Sequence, residues 1–126
     1  MTLPQGVPGF PECRDFILLD HQPVSLFRWL QSLDLPELAF VVIDPVRVVP
    51  DYPVERVRGL LAALGFTAAD EAELLAICTF PAKPAEPTVN LMAPIAISPS
   101  TRLGAQLILH DASFGARETF LDRVAA

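Results

Sequence analysis

Three groups of side chains in this 126-residue chain have the types that could do chemistry. His110-Asp111, with Ser98, Ser100 and Ser113, holds the ingredients of a hydrolase triad, in which a base takes the proton of a hydroxyl nucleophile and an acid orients the base. The glycine-serine-glycine elbow that presents such a nucleophile does not occur in the sequence, so His110 reads as a partly exposed residue closing a strand. Asp44 and Asp51 have the types of a carboxylate pair for acid–base work. Each also stands beside proline, where aspartate organises turns and helix starts. His21 and His110 stand alone, and Cys13 and Cys78 lie far apart, so neither metal-ligand spacing nor a redox pair is present and no cofactor is expected. The two cysteines read as small buried hydrophobes. Gly6 and Gly9 lie among prolines with no lysine or helix start behind them, unlike a phosphate-cradling loop.

With catalysis poorly supported, composition points towards contacts between proteins. A net charge of −6 and a pI near 4.7 repel a phosphate backbone, so direct nucleic-acid binding is not expected. The same charge favours docking on a basic protein surface, including one that nucleic acid would otherwise occupy. Apolar residues make up 52% of the chain and mean hydropathy is +0.41, which leaves apolar surface for a partner once a core is filled. Trp29 and Tyr52 each combine a large apolar ring with a polar handle, so they suit either a half-buried interface or the core. Phe40 reads as core, and Asn90 as a side chain that hydrogen-bonds a neighbouring loop.

The elements that would position these residues are mainly strands. Pro4 to Pro11 reads as extended, Arg14 to Leu19 as a strand, Asp20 to Pro23 as a turn, and Ser25 to Ser32 as a second strand. Leu38 to Ile43 is a continuous apolar run bounded by prolines, the pattern of a strand covered on both faces. Val54, Val57, Leu60, Leu61 and Leu64 recur at helical spacing, with Pro53 at the start and Gly65 placed for a C-terminal cap. Thr67 with Asp70 or Glu71 resembles a capping box. Leu74 to Phe80 predicts a buried strand, and Pro81 to Pro87 a loop that cannot supply ladder hydrogen bonds at its prolines. Val89 to Met92, Pro94 to Ile97 and Ala105 to Leu109 complete the strands, the last two joined by a long loop from Ser98 to Gly104. Asp111 to Ala126 reads as a short amphipathic helix or a loose tail.

This pattern predicts one mainly β domain over 1–126, a small antiparallel barrel-like fold or sandwich with one or two short helices. No window is apolar enough for long enough to span a membrane. The first residues lack the charged and apolar regions of a secretory signal, so a cytoplasmic location is expected.

Four stretches together resemble the FliW family of bacterial flagellar assembly factors: Gly6-Val7-Pro8-Gly9-Phe10; Trp29 to Ser32 leading to Pro36 through Pro45; Pro50-Asp51-Tyr52; and Thr88 through Ile95 with Thr101 and Gly104. The resemblance implies a β-barrel-like protein with no catalysis. It would bind CsrA, a small RNA-binding translational repressor, and also flagellin. Free protein would hold CsrA off flagellin messenger RNA, and accumulating flagellin would release it. Family members usually place about two further strands before the Gly6–Phe10 segment, so an uncovered sheet edge and self-association are expected here. The tyrosine- and arginine-containing ending of the family corresponds to Phe114 and Arg117. The expected partner-binding residues are Trp29, Asp44, Asp51 and Tyr52, the acids complementing basic charge. A flagellin-binding chaperone or orphan scaffold that has lost CsrA binding is the alternative.

Overall fold

The computed structural model of the chain describes residues 1–20 and 25–124, so His21 and most of the turn expected from Asp20 to Pro23 lie outside the described residues. Strands β1 (Phe16–Asp20), β2 (Phe27–Ser32) and β3 (Ala39–Ile43) form an antiparallel meander. Their apolar and β-branched residues stand alternately on opposite faces of the sheet. The connection from β2 to β3 is held by Ser32, whose hydroxyl accepts the backbone N–H groups of Asp34 (3.2 Å) and Leu35 (2.9 Å).

After β3, Asp44 accepts the N–H of Val46 at 3.0 Å and starts a 3₁₀ turn at Pro45–Arg47. The expected helix follows as α1 (Val54–Ala63), with Val57 and Leu61 on its buried face. It ends where Gly65 takes φ +93° and donates to Ala62, a left-handed conformation that glycine adopts without strain. Thr67 caps no helix. A left-handed Ala68 and a 3₁₀ turn at Ala69–Glu71 follow instead. Buried Ser98 donates its hydroxyl to Ala68 at 2.7 Å and ties this turn to the sheet.

Strand β4 (Glu73–Thr79) is the branch point of the sheet. One side pairs with β3, while the other pairs with β5 (Thr88–Val89) at one end and β6 (Ile95–Ser98) at the other. The chain from 88 to 98 is thus one strand broken at 90–94, where Asn90 accepts the N–H groups of Met92 and Ala93, both at 3.1 Å. β7 (Leu103–Gln106) pairs with β6, and it begins two residues before the expected Ala105. The expected long loop is a four-residue turn, 99–102, in which Arg102 is left-handed and donates to Ser98. Gly104 permits this, because a Cβ there would lie 2.1 Å from the Ala96 carbonyl oxygen.

The tail is neither a loose end nor an independent helix. β8 (Glu118–Thr119) pairs with β5, Phe120 is fully buried, and α2 (Leu121–Val124) is one short turn. Together the strands make a mostly antiparallel sheet curled into a half-barrel with two short helices. Leu3, Phe16, Leu30, Val42, Leu75 and Ile95 pack on the inner face, and α1 with the tail covers much of the outer one. Thr2 bridges Leu103 of β7 and Asp15 just before β1, narrowing the gap between the two ends of the curled sheet.

A candidate protein-binding face

Trp29 stands on the outer face of β2. Strand register places it in one rung across the sheet: Leu19, Trp29, Val41, Cys78, Val89. Leu19 is 44% and Trp29 37% exposed, Val41 is half-buried, and Cys78 and Val89 are buried. Ile17, two residues before Leu19 on the same face, is 40% exposed. Beside this row Phe27 contacts both Phe80, half exposed, and the buried Phe120, with ring centroids 5.6 and 6.1 Å apart. The result is a contiguous apolar face on β1 and β2 that grades into the core.

Of the four expected site residues, Trp29 belongs to this face. Asp44 is exposed at the end of β3 that pairs with Phe27, near the same end of the sheet. Its carboxylate is engaged in the turn that it caps. Asp51 is exposed in the turn before α1, with no part in the apolar row. Tyr52 must be corrected: it is only 4% exposed, its ring packs on Phe114 at 5.1 Å, and its hydroxyl donates to the Leu91 carbonyl at 2.6 Å. Burial raises its phenol well above the ordinary value. The polar handle that suits an interface serves here to satisfy a core carbonyl.

The residues of the imagined triad hold other positions. Ser98 donates into the Ala68 turn, Ser100 bonds Glu71, and Asp111 accepts from the Ser113 N–H and from Arg56 of α1. Those contacts hold the Asp111 carboxyl below the usual carboxylate range. Both cysteines are buried, and burial pushes the Cys78 thiol up to about 12. Among the described residues no group of three or more His, Cys, Asp or Glu side chains could hold a metal ion, and no helix is long and apolar enough to cross a membrane.

A separate cleft of about 400 Å³ is lined by Val7, Pro8, Phe40, Met92 and Gln106, with Arg117 at its wall. Three of the four stretches that carry the family resemblance converge there. A FliW protein family model matches residues 1–120. This chain belongs to the FliW family. It is 40% identical to the flagellar assembly factor FliW of Geobacter sulfurreducens over 99% of this chain and 78% of that protein. The corresponding protein of Bdellovibrio bacteriovorus is 35% identical, over 98% of this chain and 71% of its own length. A crystal structure of the flagellar assembly factor FliW superposes with a TM-score of 0.77 at 35% identity, covering 94% of this chain and 82% of that one. The FliW fold therefore frames both the cleft and the apolar face. Ile17, Leu19 and Phe80 are the members of that face that sequence reasoning missed. The unbroken run Phe16-Ile17-Leu18-Leu19 was the available signal, since it makes both faces of β1 apolar while only one can meet the inner core.

Proposed function

We propose that this protein is a cytoplasmic flagellar assembly factor that works by protein contacts alone, holding the translational repressor CsrA and giving it up to flagellin. The observation that carries this reading is the exposed apolar row Ile17, Leu19 and Trp29 on a chain of the FliW family. Tryptophan is among the residues most enriched at the energetic hot spots of protein interfaces. The net charge of −6 suits a basic, RNA-binding partner and increases the encounter rate at low salt. Asp44 and Asp51 contribute to that field from the connection between β3 and α1.

Calorimetric titration with CsrA of the same organism, followed by flagellin, tests the reading. Binding of CsrA that flagellin then displaces is the expected outcome. Flagellin binding without CsrA binding would favour a flagellin chaperone, and binding of neither would overturn the proposal. Replacing Asp44 and Asp51 by asparagine should slow association with CsrA and flatten its salt dependence.

A further inference from the structure

The edge of β7 that turns away from β6 is paired at its start and open further on. Thr2 lies there in parallel register with Leu103, donating to the Arg102 carbonyl at 2.8 Å and accepting the Gly104 N–H at 3.1 Å. The next bond in that register needs an N–H from residue 4, which is proline, so the pairing stops. Leu107 and Leu109 donate to the Pro94 and Met92 carbonyls on the β6 side. Bonding direction alternates along a paired strand, so the backbone groups of Gln106 and Ile108 point the same way as those of Gly104. No strand of the described residues pairs with them there. Because Thr2 runs parallel to β7, anything before it is directed past Arg102 and away from Gln106.

Gln106 and Ile108 also line the cleft of about 400 Å³, whose apolar walls include Val7, Phe40, Ile77 and Met92. Two polar groups of the cleft find no partner within the chain. The Gln106 side chain donates from Nε2 to the Ala93 carbonyl at 3.0 Å, while its buried Oε1 makes no hydrogen bond. Buried acceptors are normally paired, and an N–H entering the cleft would satisfy this one. Arg117 is exposed, forms no ion pair with a described residue, and is the charged member of the lining among the described residues. The acids near it in sequence are engaged elsewhere: Glu118 accepts the Gly115 N–H and Arg123, and Asp111 accepts the Ser113 N–H and Arg56. Glu12, two residues past Phe10, is not part of the lining, and His110, two residues past Ile108, adds positive charge when protonated.

We propose that the Gln106–Ile108 edge takes an extended, apolar segment of a protein partner as an added strand, with a carboxylate of that segment on Arg117. An unpaired strand edge is a template for another strand. Every second side chain of the added strand would enter the cleft, because side chains alternate between faces. The proposal rests on the protein-binding reading above and adds a docking place on the opposite face of the sheet from Trp29, since Phe40 pairs with Leu30 and not with Trp29. A second copy pairing through the same stretch would bring residues 103–109, which contain no acid, and a second Arg117. A carboxylate-bearing segment of another protein therefore fits better.

The test uses the full chain and two end-capped peptides of about ten residues, roughly the reach of one strand. Both alternate valine with threonine, and one carries a central glutamate where the other carries lysine. Salt of about 0.15 M screens the field of the net charge of −6 beyond about 8 Å. The free protein is expected to exchange the Gln106 and Ile108 amides faster than those of Leu107 and Leu109. The glutamate peptide is expected to bind, to slow exchange at Gln106 and Ile108, and to bind about fivefold more tightly than the lysine peptide. Arg117→Gln, at an exposed position, should abolish that preference while leaving amide protection in place. Absence of binding, binding without protection of those amides, equal binding of the lysine peptide, or a preference that survives Arg117→Gln would each overturn the proposal. Protection that grows with protein concentration in the absence of peptide would assign the edge to a second copy and also overturn it. CsrA binding in calorimetry while the glutamate peptide fails would overturn the edge and leave the partner switch standing. Peptide on the edge with no CsrA binding would support the edge and overturn the partner switch.

Discussion

The two ends of one rung of the sheet make opposite use of similar residues. Leu19 and Trp29 at the β1–β2 end are partly exposed, whereas Cys78 and Val89 at the β4–β5 end are sealed. Hydrophobicity does not separate them, because leucine and tryptophan are at least as apolar as cysteine and valine. What differs is the cover. Phe120 and its neighbours close one end of the outer face and α1 the region beside it, while no described element lies over Ile17 and Leu19. An apolar strand residue thus becomes core or exposed surface according to elements that lie far away in sequence.

The widest gap between the two regions should appear in stability. Leu61→Ala, on the buried face of the covering helix, is expected to cost about 2–5 kcal/mol, whereas Leu19→Ala on the exposed end should stay within about 0.5 kcal/mol. Urea unfolding of both variants measures this, and equal losses would mean that the β1–β2 face is structural. The two aromatic residues that looked alike in sequence sharpen the contrast further. Tyr52→Phe strands the Leu91 carbonyl and should cost about 1–3 kcal/mol while leaving partner affinity intact. Trp29→Ala should do the reverse, losing at least about 2 kcal/mol of binding in calorimetry with little change in stability. The smallest effect lies at Asp34, whose carboxyl is held below its ordinary value of 3.8 by backbone N–H groups, that of Asp15 foremost. Its contribution to folding is present above that value and fades as pH falls through the lower folded one. Asp34→Asn should therefore flatten the loss of stability between about pH 5 and pH 2, as read from urea midpoints across that range.

Much of the frame was legible in the sequence. Proline boundaries and apolar runs located β1 to β4, and the 3.6-residue spacing from Val54 with Gly65 behind it located α1 and its cap. Two-residue strands were legible only in part: the strand expected from Val89 to Met92 shortens to Thr88–Val89, which pairs with β4, and Glu118–Thr119 exists because it pairs with β5, with no period that could announce it. The start of β7 was hidden by Gly104, a residue that weakens strand reading yet is demanded by the close approach of Ala96. Tyr52 was misjudged because a polar handle looks the same whether it meets water or a buried carbonyl. For the candidate site, Trp29 was singled out from its type. Its neighbours Ile17 and Leu19 were not, although the unbroken run Phe16-Ile17-Leu18-Leu19 makes both faces of β1 apolar; the run does not show which of the two faces goes uncovered.

The chain holds one tryptophan and one tyrosine, and the fold sorts them between the two regions just contrasted. The indole sits on the outer apolar face, and the phenol sits inside the packed interior. Each chromophore thereby becomes a private channel: indole emission registers occupancy of the outer face, and the near-ultraviolet circular dichroism of the phenol registers integrity of the core. A single unlabelled sample can report docking and unfolding on separate wavelengths, and a variant that loses its partner can be told at once from one that has lost its shape.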